Sequence, residues 1–551
     1  MPMPKPAKRS NPVLLAKGMN IGSISAETDD DFLFECFVHN PAVETASRMQ
    51  APGMVLSGRT GSGKTAIIRH IERSGHPHVT IDPNEMSLSY VSNSDALRFL
   101  QAIGADLDLL FLALWKHVLC IEFIRLKYKV ADEDGSRSIF GRLWDRFSAD
   151  DRKKRSLKYL KEWEGKFWIT MDQNIKEITE KYESKLQAEM GADIEKFKTR
   201  GQYEKQLSTE KKSELVARAK KIVNAEQLAE LAGVIDMIAD SSEGDLTKYF
   251  ILIDKMDERW VDVSIRFHLT RALIESLKAF RKIRNLKILL ALRTDILERV
   301  VQETGDLTFQ REKFDEYFIR LLWEPGELKD VVQKRVRLLF RRQYTGGEVS
   351  FEDVFPYNVG RIDPFVYMLE RTLLRPRDII AFVNEALKLA SGQYEVTSTQ
   401  IREAEGAYSA GRRQALEQEW KTTFPTLPKV LDHLTKMRRT VISLEELSER
   451  EQIEDLALKI GTEKQIDFDP LHPLAVAAIE SPNNISTFVR TIVEILYRVA
   501  AVGIKLSPTQ RYSYSHIDQP YFAASSLPDD LKIRVHPMLL RALSLDPHDR
   551  Q

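Results

Sequence analysis

Eight consecutive residues, Gly58-Arg59-Thr60-Gly61-Ser62-Gly63-Lys64-Thr65, fill the pattern G-x-x-x-x-G-K-[ST] that is typical of phosphate-binding loops. A short apolar run, Met54–Ser57, precedes them, and a helix-like run, Ala66–Ile71, follows. A strand, this loop and a helix, in that order, are the context in which the pattern binds phosphate. The sequence therefore predicts an ATP-binding site at residues 58–66.

The residue types of this loop suit the phosphates of ATP. Glycine tolerates backbone angles that turn successive N–H groups towards one anion, and the N-terminus of the next helix adds a positive dipole. We expect Lys64 to reach the β- and γ-phosphates and the Thr65 hydroxyl to ligate Mg²⁺. The predicted binding residues are Gly58, Arg59, Thr60, Gly61, Ser62, Gly63, Lys64, Thr65 and Ala66.

A carboxylate ends a second strand-like run. Asp254 follows the apolar residues Tyr249–Ile253, where an acid leaving a central strand beside the loop would hold Mg²⁺. The next position, at which many fast ATPases carry a glutamate that polarises water, is Lys255. The base would then be Asp257 or Glu258, with Glu258 slightly preferred, or be absent; either residue could instead cap the next helix. We therefore expect slow hydrolysis.

Two further pairs of residues are candidates for sensing the γ-phosphate. Arg293 or Thr294, directly after the strand-like run Leu286–Leu292, would sense the γ-phosphate unless they are ordinary strand-end residues. Arg375 and Arg377 flank Pro376, which favours the first turn of a helix. One of them, with Arg377 preferred, would reach back to the phosphates. The alternative is that these arginines form salt bridges on the surface.

Strand-like runs alternate with helix-like runs around these motifs. The runs Val79–Asp82, Tyr249–Ile253 and Leu286–Leu292, with a helix over Ile265–Phe280, predict a parallel sheet covered by helices. About 190 residues separate Lys64 from Asp254, more than a compact core needs. The Lys- and Glu-rich segment 148–245 is therefore expected to be a helical insertion, either a solvated arm or an arm that binds a partner.

The predicted fold class is an α/β P-loop core with a parallel sheet, a large helical insertion, a helical lid and a C-terminal winged-helix-like domain. A helix over Thr487–Val502 and a short hairpin over residues 504–515 would form the winged helix. Cations and aromatics in that hairpin suit a nucleic-acid backbone or simply pack on the helix; they are Lys505, Arg511, Tyr512 and Tyr514. The expected divisions are a leader and lead-in helix (1–50), core (51–147 and 246–322), insertion (148–245), lid (323–405) and C-terminal domain (406–551).

Composition narrows the class of protein. The 551 residues carry a formal net charge of +0, so a nucleic-acid surface would have to be a local patch. Cys36 and Cys120 lie among apolar residues, which favours reduced, buried thiols in a cytoplasmic protein. No apolar run reaches the length that spans a bilayer, and the N-terminus lacks the pattern of a secretory signal. We expect no membrane partner.

Taken together, these motifs resemble a family of prokaryotic P-loop ATPases related to the origin-recognition-complex-like AAA+ ATPases and to the STAND-type switch NTPases. The resemblance implies an AAA+-like core, a helical lid, a C-terminal winged helix and a setting in mobile or anti-phage defence loci. It covers most of the chain, least so the helical insertion. The residues that carry it are Ala26-Glu27, Phe32-Leu33, Gly58–Ala66, Ile253–Glu258, Leu292–Asp295, Leu374–Asp378 and His536-Pro537-Met538.

The leading functional hypothesis is an ATP-dependent conformational switch that acts on DNA or on a partner protein. Its cofactors are ATP and Mg²⁺, and its other partners are DNA through the winged helix, a protein, or further copies of the chain. The alternative is a DNA-binding or scaffold protein in which ATP is structural and hardly turned over. A third hypothesis is a ring-forming remodeller with arginine fingers in trans, for which the sequence assigns no finger.

Overall fold

The computed structural model describes residues 14–83, 89–151, 153–167, 169–200, 203–222, 225–256, 258, 261, 263–303, 315–341, 348–463 and 469–546. Their contacts divide the chain into two compact units. The sheet unit comprises Pro41–Arg59 and Lys64–Leu321, and the helical unit comprises Met1–Asn40, Thr60–Gly63 and Leu322–Gln551. The chain therefore enters the sheet unit, leaves it for four loop residues, and returns.

The sheet unit is built on five parallel strands, so the predicted α/β class with a parallel sheet is confirmed. The spatial order is β2-β3-β4-β1-β5. Apolar runs of four to eight residues form the central strands because both faces of such a sheet are covered. The strands are β1 (Val55–Gly58), β2 (His78–Ile81), β3 (Tyr249–Ile253), β4 (Leu286–Arg293) and β5 (Phe318–Arg320).

Strand register aligns two of the predicted motifs. In the β1–β4 pair, Gly58 lies opposite Arg293, so the first loop glycine and the last residue of β4 are neighbours. Strand β3, which ends just before Asp254, is separated from β1 by β4. Parallel strands end at one edge of a sheet, where α/β proteins bind their ligands. The motifs that follow β1, β3 and β4 therefore share that edge.

Helices surround this sheet, and five of them between β2 and β3, α8 to α12, lie in the segment 148–245 that was expected to be an insertion. Leu186 and Ile194 of its longest helix are fully buried and belong to the same apolar core as the strands, so that helix packs on the unit. The helices are α2 (Pro41–Ser47), α3 (Lys64–Glu72), α4 (Ser89–Asn93), α5 (Asp95–Ala102), α6 (Asp108–Tyr128), α7 (Glu133–Phe147), α8 (Lys154–Glu162), α9 (Met171–Arg200), α10 (Tyr203–Gln206), α11 (Thr209–Ile222), α12 (Ala225–Ser241), α13 (Val263–Phe280) and α14 (Thr294–Glu303).

The helical unit has its own apolar core. Four of its helices, α15 to α18, lie in the segment 323–405 that was expected to be a lid. Leu15 is fully buried and pairs with the backbone of Gly392 and Gln393, so the expected flexible leader is packed from this residue on. The helices are α1 (Asp30–Leu33), α15 (Pro325–Arg341), α16 (Phe351–Val354), α17 (Pro364–Leu369), α18 (Pro376–Leu389), α19 (Ser398–Trp420), α20 (Leu427–Met437), α21 (Leu444–Leu447), α22 (Arg450–Gly461), α23 (Leu471–Glu480) and α24 (Ile485–Arg498).

A small antiparallel sheet, in the order β6-β8-β7, belongs to the same unit; β6 lies between α20 and α21, and β7 and β8 follow α24. Its strands are β6 (Val441–Ser443), β7 (Val502–Lys505) and β8 (Lys532–Val535). The hairpin expected over residues 504–515 is reduced to a single bridge between Ile504 and Ser513. Strand β7 pairs instead with β8, because Ile533 and Val535 bury their side chains in the core of the unit.

Candidate nucleotide-binding site

The predicted phosphate loop lies between a buried strand and a helix. Strand β1 is buried along its whole length, and α3 begins at Lys64. Gly61 and Gly63 have φ angles of +78° and +103°, in the left-handed region that side chains disfavour. The backbone therefore favours glycine at positions 61 and 63, and the first turn of α3 follows the loop directly.

Lys64 folds back over the beginning of the loop. Its ammonium donates hydrogen bonds to the carbonyl oxygens of Gly58 (2.9 Å) and Arg59 (3.0 Å). Helix α3 is held by its buried face, to which Ile67, Ile68 and Ile71 belong. A cation is thus placed at the loop by a helix whose opposite face is fixed in the core.

Two loop hydroxyls are buried without a protein partner among the described residues. They are Thr60 Oγ1 and Ser62 Oγ, and Ser62 as a whole is 2% exposed. Buried hydroxyls normally find a hydrogen-bond partner, because leaving one unpaired costs free energy. Both therefore suit a polar ligand at this loop.

Three consecutive carbonyl oxygens of the loop accept hydrogen bonds within the helical unit. Arg375 Nη1 donates to Thr60 O (2.8 Å), and Trp323 Nε1 donates to Ser62 O (2.7 Å). The backbone N–H of Arg377 donates to Gly61 O over a longer 3.4 Å. The middle of the loop is thereby held by residues far along the chain.

The guanidinium of Arg375 belongs to a buried ionic network. It pairs with Asp378 (2.9 Å) and with Glu419 (3.3 Å), and Asp378 also pairs with Arg412 (2.6 Å). Burial alone would lower the pKa of Arg375, yet the carboxylates of Asp378 and Glu419 outweigh it and raise the pKa above its usual value. Arg375 is therefore a charged, fixed group at the loop.

Glu419 also reaches the loop. Its Oε1 accepts a hydrogen bond from the backbone N–H of Thr60 (3.3 Å), while Oε2 pairs with Arg375. This carboxylate lies at the C-terminal end of α19 and is 7% exposed. The buried carboxylate of Glu419 thus accepts from the N–H of Thr60, and the buried guanidinium of Arg375 donates to its C=O.

Arg377, the preferred γ-phosphate sensor, packs along Gly61. A Cβ placed on Gly61 would lie 2.7 Å from both Cβ and Cδ of Arg377, closer than carbon atoms approach. The Arg377 Nε donates to Ile24 O (3.1 Å), and burial, followed by the charges of Arg375 and Arg412, lowers the pKa of Arg377. As predicted, Pro376 is the first residue of α18.

Asp254 lies at the carboxyl end of β3, and its backbone N–H donates to Ile81 O (3.2 Å). Its Oδ1 accepts a hydrogen bond from the N–H of Lys255 (2.8 Å). Lys255 has a φ of +60°, and its ammonium pairs with Asp82 (2.6 Å), a hydrogen bond that raises the pKa of Lys255. Because Asp82 follows β2, the lysine turns to the side of β3 opposite β1.

Of the two candidate catalytic bases, Glu258 lies within the described residues. Glu258 has an exposed side chain, its N–H donates to Lys255 O (3.2 Å), and its carbonyl accepts from Arg266 (3.3 Å). Asp257 lies outside the described residues. The choice between them stays open.

Arg293 ends β4 beside Gly58, and Thr294 is the first residue of α14. The Arg293 guanidinium forms a two-pronged pair with Asp295, with Nε–Oδ1 and Nη2–Oδ2 distances of 2.9 and 2.8 Å. Asp295 is 2% exposed, so this pair is fixed from inside the unit. The predicted sensor position therefore adjoins the loop.

The residues of the expected wing have partners of their own. Arg511 pairs with Asp518, and Arg534 lies over the ring of Tyr512. Tyr514 packs so closely on Gly503 that a Cβ there would lie 2.5 Å from its ring. Lys505 ends β7. These contacts favour packing for Tyr514 and leave nucleic-acid binding a prediction.

Three further features concern possible metal ligands, the two cysteines and the lengths of the helices. Within the described part of the chain, His, Cys, Asp and Glu form no group of three that could hold a metal ion. Cys36 and Cys120 are buried free thiols, as predicted, and burial raises the pKa of Cys36 to about 11. The described helices include none that is both long and apolar enough to cross a bilayer.

Trp323 and Glu419 were missed by the sequence analysis. Trp323 lies just before α15, next to the Pro325-Gly326 pair, and a lone tryptophan at a helix start has no recognised link to phosphate binding. Glu419 is one of several acids in α19. These two residues could be identified only once the fold showed which side chains contact residues 60–63.

Comparison with known proteins gives two similarities. Residues 326–417 match the family described as the FunZ-associated C-terminal helical domain. Over 302 residues, 54% of this chain, the sequence is 22% identical to the Escherichia coli (strain K12) protein named "Putative transposon gamma-delta 80.3 kDa protein". The matched region spans 40% of that protein's length. No solved structure matches this chain.

Proposed function

We propose that this chain binds ATP with Mg²⁺ at residues 58–66 and uses it as a slowly hydrolysing conformational switch. The observation that carries the proposal is the loop between β1 and α3, with Gly61 and Gly63 at positive φ and the ammonium of Lys64 on the loop carbonyls. Backbone N–H groups at a helix N-terminus with a nearby lysine are the groups that cradle a triphosphate.

The residues present suit the two cofactors. The unpaired hydroxyls of Thr60 and Ser62 and the backbone of Gly61 to Lys64 would face the phosphates. Thr65, in the first turn of α3, and Asp254, at the end of β3, are the oxygen donors that would hold Mg²⁺. When bound, the ion would supply charge neutralisation at the phosphates.

Slow hydrolysis follows from the residue after Asp254. Lys255 is paired with Asp82 and points away from β1, so this position offers no carboxylate to orient a water. That role would fall to Glu258 or Asp257, and Arg293 beside Gly58 would respond to the γ-phosphate. The same geometry favours the alternative of a DNA-binding or scaffold protein with structural ATP and little turnover.

The partner of the switch would be DNA, a protein or another copy of the chain. Helix α24, with β7 and β8 after it and β6 completing their antiparallel sheet, resembles the outline of a winged helix, which is the argument for DNA. The similarity to a protein named as a transposon protein agrees with the mobile-element or anti-phage setting that the P-loop ATPase resemblance implies.

The proposed ATP site at residues 58–66 is tested by comparing the ATP affinity of the wild type with that of Lys64→Ala. Loss of a charged hydrogen-bond donor at the phosphates should weaken ATP binding by roughly 10- to 100-fold. Lys282→Ala, which removes an exposed lysine elsewhere in the sheet unit, should leave binding unchanged. Equal affinity of wild type and Lys64→Ala would exclude this loop as the site.

Steady-state hydrolysis, with and without DNA, separates the two candidate functions. The switch predicts slow turnover that disappears in a variant with both Asp257→Asn and Glu258→Gln, while ATP binding persists. Absence of turnover in every condition favours the scaffold.

A further inference from the structure

Three successive carbonyl groups of the phosphate loop are held by three donors of the helical unit. Arg375 holds Thr60 O, the backbone of Arg377 holds Gly61 O, and Trp323 holds Ser62 O. We propose that Trp323 and Arg375 are positioning residues for triphosphate binding, which they serve by orienting the peptide groups of this loop. This inference rests on the proposed ATP site and names how that site is controlled.

The geometry of the peptide bond supplies the argument. A trans peptide group is planar, and its N–H points opposite to its C=O. Donors that fix the carbonyls of residues 60, 61 and 62 therefore fix the N–H groups of Gly61, Ser62 and Gly63 on the opposite side. Those three N–H groups are the ones that a nest of backbone donors offers to an anion.

Both side chains are themselves well anchored, so each can hold the loop rather than follow it. Arg375 is 5% exposed and lies between the carboxylates of Asp378 and Glu419. Trp323 packs its ring against the apolar core of the helical unit. A loop with glycines at two positions would otherwise sample many conformations, and ordering it on binding would reduce affinity.

The two donors make the triphosphate affinity of the loop depend on the conformation of the helical unit. Any rearrangement of the helical unit that withdraws Trp323 or Arg375 releases the loop carbonyls and lowers affinity for the triphosphate. By linkage, a bound triphosphate favours the arrangement in which both donors are in place. The part of the helical unit from Leu322 onward is thereby coupled to the state of the loop through Trp323 and Arg375.

The test is Trp323→Phe, which keeps an aromatic ring and removes the N–H donor. Affinities for Mg²⁺–tripolyphosphate and Mg²⁺–ATP are measured by calorimetry. Both should weaken by the same factor, about fivefold, as for one lost hydrogen bond, with the thermal unfolding midpoint within a degree of wild type. Trp144→Phe, a matched change at a 40% exposed tryptophan on α7, should alter neither affinity.

Unchanged affinities in Trp323→Phe, in a chain whose Lys64→Ala variant has lost binding, would overturn the inference and leave the ATP site intact. Wild-type protein that binds neither ligand would overturn the proposed function and, with it, this inference. Should Trp323→Phe fold poorly, benzothienylalanine at position 323 replaces the N–H by sulfur at constant shape. Weakened binding by that variant supports the proposal, and wild-type affinity refutes it.

Discussion

The ends of the phosphate loop and its middle are held in different ways. At the ends, Gly58 is fixed by its strand neighbour Arg293, and Lys64 bonds to carbonyls five and six residues earlier. In the middle, Thr60 and Ser62 are held by Arg375 and Trp323, which are 315 and 261 residues further along the chain. One motif thus depends on one set of contacts within the sheet unit and on another within the helical unit.

Under the proposed function, the contacts at the ends place Lys64, and the contacts of the middle orient the N–H groups of Gly61, Ser62 and Gly63. The contacts at the ends form once β1 pairs with β4 and α3 forms. The contacts of the middle require the whole helical unit to be folded around Asp378 and Glu419. Variants that remove each set should therefore differ in their effects on stability and on binding.

The largest effect is expected from Asp378→Asn. Asp378 is fully buried between Arg375 and Arg412, which hold its pKa low against the opposing effect of burial. Removing one charge of a buried pair typically costs about 3–5 kcal/mol, because its partners stay buried and uncompensated. Urea denaturation should show this loss. The exposed pair of Asp432 with Arg413 provides the control, and Asp432→Asn should cost under ~0.5 kcal/mol.

The fold of the sheet unit could be predicted because its signals are local. The runs Tyr249–Ile253 and Leu286–Leu292 became β3 and β4 almost residue for residue. Strand β8 was missed because only its pairing with β7 explains a four-residue run. Glu419 was missed for the same reason, since its role arises from the distant Thr60. Sequence periodicity reports which face is buried, not which distant group faces it.

An intermediate effect is expected from Gly61→Ala, for which Gly75→Ala is a matched control. Both glycines have nearly equal φ angles, +78° and +77°, so alanine is strained by a similar ~1 kcal/mol at each. No atom lies within 4 Å of a Cβ on Gly75, whereas Arg377 lies 2.7 Å from one on Gly61. Overpacking should add ~2 kcal/mol at Gly61 alone. Equal denaturation midpoints for the two variants would contradict the close approach.

The last effect is absent at neutral pH and concerns the segment that leads into β1. Lys287 is fully buried, and its ammonium donates to Ala51 O (2.8 Å) and Arg48 O (3.2 Å). Burial lowers the pKa of Lys287 to about 8 from its usual 10.5. The unfolded chain therefore binds more protons between these values, so stability should rise with pH from about 8 to 10.5, by ~3 kcal/mol.

This pH dependence is measured as the difference in unfolding free energy between wild type and Lys287→Met. The difference should be flat below pH 8 and should shift in favour of wild type above it. A difference that does not change up to pH 10 would mean that the folded state holds this lysine at an ordinary pKa.

Amide hydrogen exchange of residues 60–66, with and without Mg²⁺–ATP, tests the central claim most directly. If this loop holds the phosphates, exchange at Gly61, Ser62, Gly63 and Lys64 slows when ATP is added, and the slowing disappears in Lys64→Ala. ATP that binds with full affinity while exchange in this loop is unchanged would show that the nucleotide lies elsewhere and that the account is wrong.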